Sequence, residues 1–97
     1  MPYVIQQTVE FAEWHATRRD LRVKVAIARR IERAAAGNLG DVKPLGNGVS
    51  ELRVDTGPGY RLYFTIRKRA IVVLLCGGDK RTQRADIRHA QKLAAEV

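Results

Sequence analysis

The sequence predicts an α+β fold in which a helical hairpin packs on a twisted, mainly antiparallel sheet. Three observations indicate this fold: apolar residues at helical spacing over residues 21–35, strict alternation over residues 60–65, and an apolar run over residues 70–76. The predicted element order is β-α-α-β-β-β-α. Because a chain of 97 residues has room for one hydrophobic core, we expect a single domain over residues 1–97. The helical hairpin should cover one face of the sheet, and the opposite face should stay partly open.

The first part of the chain is predicted to hold a short strand and two helices. The segment "YVIQQT" indicates the strand, and Thr8 is a suitable N-cap for a helix whose inner face carries Phe11 and Trp14. The second helix follows "ATRRD" and ends before Gly37, a residue type common just beyond a helix C-terminus. Its expected buried stripe consists of Leu21, Val25, Ala28, Ile31 and Ala35, widened by Val23, Ile27 and Ala34.

The second part is predicted to hold a loop, three strands and a helix. Glycine, asparagine and proline in "NLGDVKPLGNGV" indicate a loop over residues 38–49. The strands "SELRVD", "YRLYFTIR" and "AIVVLLC" follow, joined by turns at "TGPG" and "KR". The last strand is apolar on both faces, which is typical of a central strand. Thr82 can cap a final helix, whose expected inner stripe is Ile87, Ala90, Ala94 and Val97.

Alternation assigns the strand side chains to two faces of the sheet. On the first of the three strands, Leu52 should point inward, and Glu51 and Arg53 should point outward. On the second, the inner face should carry Tyr60, Leu62 and Phe64, and the outer face Arg61, Tyr63 and Thr65. The short turn between these strands should place positions 53 and 61 close together, near the end of the central strand. The sequence therefore predicts one concave surface that combines Arg53, Arg61, Tyr63, Lys80 and Arg81.

Four cations on one surface imply an anionic ligand. Like charges repel, so a fold gains no stability from their convergence unless an anion lies among them. The planar fork of arginine matches the oxygens of a phosphodiester or of a carboxylate-rich peptide. The alternative interpretation is that these side chains are solvated residues on a basic surface.

The composition favours a polyanionic partner. Lys and Arg together number 18 against 10 for Asp and Glu, which gives a formal charge of +8. Nucleic acid is the first partner that this charge suggests, an acidic protein the second and a membrane surface the third. The longest apolar run is far shorter than the ~20 residues of a membrane-spanning helix, and no secretory signal is visible. The single cysteine, Cys76, is expected to be a buried, inert thiol. We therefore expect a cytoplasmic protein with no membrane partner.

The sequence gives little evidence for a metal site, a phosphate-binding loop or a hydrolase triad. No Cys/His cluster has the spacing of a metal site, and no glycine segment completes a phosphate-binding loop. Ser50 is the single serine, and nothing indicates a hydrolase triad around it. His15 and His89 are expected to be surface or partly packed side chains on helices. We expect no metal and no cofactor.

The segments "ELR", "GYRLYF", "IVVLL" and "GDKR" before a last helix resemble the RelE/ParE toxin superfamily in their order and spacing. The resemblance spans essentially the whole chain and is greatest to the HigB-like branch of type II toxin–antitoxin modules. It implies a RelE-like fold and a metal-independent endoribonuclease that cuts mRNA, generally on the ribosome. It also implies a cognate antitoxin, usually of the helix-turn-helix type.

The resemblance also implies roles for individual residues. Arg61 matches the arginine that holds the scissile phosphate, and Lys80 or Arg81 matches the second basic position, which stabilises developing charge or protonates the leaving oxygen. Arg53 matches a basic position on the preceding strand that contacts RNA or assists proton transfer. Tyr63 is a candidate for stacking on a base or for donating a hydrogen bond to the phosphate. Two alternatives stay open: a ParE-like inhibitor of DNA gyrase without enzymatic activity, and a basic nucleic-acid-binding module without catalysis.

Overall fold

The computed structural model describes residues 2–97 and confirms the α+β fold, with three helices packed on a five-stranded sheet. Along the chain the elements are β1 (Val4–Gln7), α1 (Val9–Ala16), α2 (Leu21–Ala35), β2 (Val42–Gly46), β3 (Val49–Val54), β4 (Tyr60–Arg67), β5 (Ile71–Asp79), a 3₁₀ turn (Lys80–Thr82) and α3 (Gln83–Glu96). Thr8 caps α1 as expected, because its hydroxyl oxygen accepts a 3.0 Å hydrogen bond from the backbone N–H of Phe11. Within residues 2–97, no helix has the length and apolar character that crossing a membrane requires.

The sheet has the strand order β1-β5-β4-β3-β2. β1 runs parallel to β5, and the three other pairings are antiparallel. The apolar strand β5 therefore has neighbours on both edges, which confirms its central position. In the β3–β4 pair Arg53 lies opposite Arg61, and in the β4–β5 pair Arg61 lies opposite Gly78. The register thus brings the two arginines together near the end of the central strand.

The prediction of a loop over residues 38–49 is wrong for residues 42–46, which form strand β2 and pair with β3. Gly46, Asn47 and Gly48 all have positive φ angles, so the chain reverses within a tight turn and β2 lies antiparallel to β3. Pro44 is tolerated because β2 is an edge strand and the pairing is irregular between Pro44 and Gly46. The element order therefore contains one strand more than predicted.

Both faces of the sheet are covered, which corrects the expectation of a partly open face. On the face of α1 and α2 lie Phe11, Ile27, Leu52 and Phe64, among other buried residues. On the opposite face α3 packs Ala90 and Ala94 against a second core. The second core contains Val49, Tyr63, Val73, Leu75 and Cys76. Because α3 covers this face, the side chains expected to be outward on β4 are buried: Arg61, Tyr63 and Thr65.

The buried stripe of α2 is Val23, Ile27, Arg30 and Ala34, and this differs from the stripe expected from the sequence. Leu21 is 71% exposed and Val25 is 40% exposed, although both were expected to be buried. The helix is rotated so that Arg30 faces the sheet, where its guanidinium donates hydrogen bonds to backbone carbonyls. Apolar periodicity alone cannot predict a stripe in which one inner position is occupied by a charged residue with its own partners.

Gly77 allows Trp14 to lie directly against β5. A Cβ atom at position 77 would lie 2.4 Å from the nearest atom of the Trp14 ring, and the ring also contacts Arg18 and Tyr60. We expect Gly77→Ala to lower the free energy of unfolding by about 1–3 kcal/mol in urea unfolding, since the indole has to move. In a Trp14→Leu background the same substitution should cost less, and an equal cost in both backgrounds would contradict this explanation.

Candidate functional site

A cavity of about 740 Å³ lies between α2, the β3–β4 turn and the 3₁₀ turn that follows β5. Its charged lining is mostly cationic, with two carboxylates, Asp41 and Asp55. The six cationic residues are Arg29, Arg30, Arg33, Arg53, Arg61 and Lys80. Three of the five predicted site residues, Arg53, Arg61 and Lys80, therefore share one cavity.

Arg53 and Arg61 are held by a carboxylate, Glu51, whose side chain is completely buried. The Nε of Arg61 donates to Oε2 of Glu51 over 3.0 Å, and the Nε of Arg53 donates to the same oxygen over 3.3 Å. Neither ion pair uses the terminal Nη atoms of the arginines. Glu51 thus fixes two guanidinium groups while leaving their terminal forks outside the pairing, which is the part of arginine that binds phosphate in a bidentate way.

Glu51 is the principal site residue that the sequence analysis missed, since it was expected to point to solvent. Its other oxygen, Oε1, accepts a 3.4 Å hydrogen bond from Nε2 of Gln83 at the start of α3. The carboxylate therefore joins β3, β4 and α3 at one point. The sequence did contain a signal for these ion pairs. Glu51 lies two residues before Arg53 and therefore on the same face of β3, and Arg61 lies opposite Arg53 on the next strand.

Lys80 and Arg81 have different surroundings although they are adjacent in sequence. Lys80 lines the cavity, and its Cε atom lies 3.8 Å from the position that a Cβ of Gly59 would occupy in the β3–β4 turn. The side chain of Arg81 is 88% exposed, does not line the cavity, and forms a 3.2 Å ion pair with Asp79. Hydrogen bonding from the Arg81 side chain lowers the pKa of Asp79. The structure thus brings Lys80 to the cavity and leaves Arg81 outside it.

Tyr63 is fully buried and does not line the cavity, so the structure does not place it on the expected concave surface. Within residues 2–97 its hydroxyl has no hydrogen-bond partner. Burial, and then the carboxylates of Asp86 and Glu51, raise the pKa of the Tyr63 phenol. The tyrosine that lines the cavity is Tyr60, which the sequence analysis assigned to the inner face. Because Tyr60 is the first residue of β4, its ring reaches both the core and the cavity.

Arg30 supports the cavity from α2. Its Nε donates a 3.1 Å hydrogen bond to the backbone carbonyl of Arg53, and its Nη2 donates to the carbonyls of Leu39 and Asp41. Burial, and then the nearby Arg33, lower the pKa of Arg30, while Asp41 opposes the shift. Arg30 therefore anchors both the backbone at position 53 and the segment that leads into β2.

The two histidines and the single cysteine lie outside the cavity. His15 shares a 3.0 Å hydrogen bond with the carbonyl of Lys24, and His89 contacts the carboxylate of Glu10. Cys76 is buried, and burial raises the pKa of its thiol to about 12, so it is a neutral thiol at neutral pH. Within residues 2–97, no group of three or more His, Cys, Asp or Glu residues is arranged to hold a metal ion.

The chain is similar to a known protein family and to a bacterial relative. Residues 15–96 match the family model described as phage derived protein Gp49-like (DUF891). A relative from Haemophilus influenzae, described as an uncharacterized protein, is 44% identical over 97 residues, which is 100% of this chain and 98% of the relative. The family match begins near the end of α1 and includes every residue that lines the cavity.

Proposed function

Since the chain belongs to the phage-derived Gp49-like family, which is a RelE-like family of type II toxin–antitoxin toxins, we propose that it is a metal-independent endoribonuclease that cuts mRNA. Membership in such a family implies a cognate antitoxin. We further propose that the toxin is HigB-like, that it acts in the cytoplasm on mRNA bound to the ribosome, and that its antitoxin is of the helix-turn-helix type.

The observation that carries this proposal is the arrangement of Arg61, Arg53 and Lys80 around one cavity, with Glu51 behind the two arginines. A site for phosphoryl transfer needs cations that are already in place, because fixed charges stabilise a developing negative charge without reorganising. The ion pairs with Glu51 supply that preorganisation in the absence of RNA. These ion pairs also reduce the electrostatic repulsion between Arg53 and Arg61, since the buried carboxylate pairs with both guanidinium groups.

The reaction that fits this site is an internal transesterification of RNA. The ribose 2′-oxygen attacks the adjacent phosphorus, the bond from phosphorus to the 5′-oxygen breaks, and the 2′-hydroxyl loses its proton while the leaving 5′-oxygen gains one. The products are a 2′,3′-cyclic phosphate and a 5′-hydroxyl end. In this scheme the terminal fork of Arg61 holds the scissile phosphate, and Lys80 stabilises the charge or protonates the leaving oxygen.

Arg53 has a supporting role in the proposed reaction. Its side chain is 45% exposed, so it can contact the RNA backbone while its Nε stays paired with Glu51. Arg81 and Tyr63, which the family resemblance offered as further site residues, have no direct contact with the phosphate in this proposal because neither lines the cavity.

The test is to induce the protein in bacterial cells and to map RNA 5′ ends, together with the chemical nature of those ends. The expected result is growth arrest with new mRNA ends that carry a 5′-hydroxyl. Intact mRNA with a DNA-damage response would instead identify the ParE-like inhibition of gyrase. Binding of RNA that weakens steeply with salt and produces no cleavage would identify a basic binding module.

Lys80 and Arg81 provide a matched pair of variants within this test. We expect Lys80→Gln to reduce cleavage by about 100-fold, because it removes a preplaced cation from the cavity. Arg81→Gln should have a much smaller effect, since its side chain is exposed and paired with Asp79. The measurement is the cleavage rate of one mRNA in a translation reaction. Equal losses for the two variants would contradict the assignment of Lys80.

A further inference from the structure

Tyr60 lies between two cavities. The second cavity has a volume of about 320 Å³ and is formed near the connection between α1 and α2. Among the residues that line these two cavities, Tyr60 is the one that they share. The second cavity is lined by Thr17, Arg18, Arg19, Asp20, Val23 and Tyr60. A ligand that extends beyond the main cavity in this direction therefore has to pass the Tyr60 ring.

The ring of Tyr60 is held in place before any ligand binds. It makes an edge-on contact with Trp14, with ring centroids 6.2 Å apart and an interplanar angle of 63°. The guanidinium of Arg18 lies over the Trp14 ring at 4.7 Å, and its Nε donates a 2.8 Å hydrogen bond to the Trp14 carbonyl. A ring supported in this way loses little conformational freedom on binding, so it is suited to be a preformed contact surface.

Both cavities that the Tyr60 ring lines also have cationic lining residues. Arg61 follows Tyr60 directly in β4 and lines the main cavity, and Arg19 is an exposed residue that lines the second. The carboxylate of Asp20, which also lines the second cavity, accepts a hydrogen bond from the backbone N–H of Arg22 and caps α2. An aromatic ring between basic groups is the arrangement that binds single-stranded nucleic acid, because the cations contact phosphates and a base stacks on the ring.

We infer that Tyr60 is a stacking platform for one RNA base, with the backbone of the strand passing from Arg61 in the main cavity to Arg19 at the second. This inference rests on the proposed function. It adds a path for the RNA backbone across the protein surface and a contact with one base. It gives Tyr60 the stacking role for which the sequence analysis named Tyr63, whose ring is buried.

The experiment compares binding of two RNA hexanucleotides that are 2′-O-methylated throughout, so that the attacking hydroxyl is blocked. One carries all its bases, and the other is abasic at its central positions. The parent protein should bind the base-bearing RNA at least about fivefold more tightly than the abasic RNA. Tyr60→Leu should lose this preference, whereas Tyr60→Phe should retain it because the aromatic ring is kept.

Tyr3→Leu is the matched control, since Tyr3 also packs partly buried against the core of the α1 and α2 face but lines neither cavity. It should retain the preference for the base-bearing RNA, and thermal melting of all variants checks that they are folded. A parent protein that binds both RNAs equally, or a Tyr60→Leu variant that keeps the preference, would overturn the stacking role alone. A parent that binds neither RNA would also overturn the stacking role, and cleavage of mRNA in a translation reaction would then decide separately whether the proposed function holds.

The path toward the second cavity has its own test. Arg19→Gln should reduce the slope of log affinity against log salt concentration by about 1, as expected for the loss of one phosphate contact. Arg69→Gln is the control, because Arg69 is an exposed arginine in the β4–β5 turn, at the opposite end of β4 from Tyr60. Equal slopes for the Arg19 and Arg69 variants would overturn the proposed path.

Discussion

Replacing Arg61 with lysine is expected to slow RNA cleavage by about 100-fold or more while the protein stays folded. The side chain of Arg61 is 9% exposed and pairs with the buried Glu51. A lysine keeps the positive charge that Glu51 requires, but it has no planar fork for two phosphate oxygens. The substitution therefore separates the proposed contact with the phosphate from the contribution of Arg61 to stability.

The measurement is the rate of mRNA cleavage in a translation reaction, with thermal unfolding of each purified variant recorded alongside. Arg69→Lys is the matched control, because the same chemical change is made at an exposed turn position remote from the cavity. We expect this control to cleave at the parent rate. If Arg61→Lys cleaves within about threefold of the parent, the fork of Arg61 does not bind the scissile phosphate.

The sheet was largely predictable, because its strands have strong local patterns. Alternation over residues 60–65 and the apolar run that ends at Cys76 correctly indicated β4 and the central strand β5. β2 was not recognised because Pro44 and Gly46 lower the strand propensity of a short segment. That strand depends on its pairing with β3, and pairing between segments is a tertiary property that local composition does not record.

The site was predictable in its position but not in its composition. The short β3–β4 turn places Arg53 opposite Arg61, because the length of the turn sets the register of the two antiparallel strands. Which side chains stay exposed depends on α3, which covers this face of the sheet. Strand alternation alone assigns Tyr63 and Glu51 to the outer face of the sheet, where α3 buries both. The amphipathic pattern of α3 shows an apolar stripe but not the face of the sheet that receives it.

Removing the Glu51 carboxylate by Glu51→Ala is expected to lower the free energy of unfolding by about 3–5 kcal/mol. This loss is a large fraction of the about 5–15 kcal/mol that stabilises a typical domain. The cause is the charge left behind, since Arg61 stays almost completely buried without its partner. Arg53, which is 45% exposed, can turn its guanidinium to water. Urea unfolding of the parent and the variant measures the difference.

Asp55→Ala is the matched control, because Asp55 is an exposed carboxylate just beyond the end of the same strand. It should change the free energy of unfolding by no more than about 0.5 kcal/mol. A loss at Glu51 no greater than the loss at Asp55 would show that the buried ion pair does not hold the site together.

The double variant Glu51→Met/Arg61→Met tests the mechanism of this loss. If an uncompensated buried charge is the cause, then removing both partners should restore part of the stability that Glu51→Met alone loses. The double variant should then be folded but inactive in cleavage, because the proposed phosphate-binding fork is absent. Strictly additive losses for the two single variants would instead indicate that each side chain stabilises the fold through separate contacts, and that Glu51 does not position Arg61.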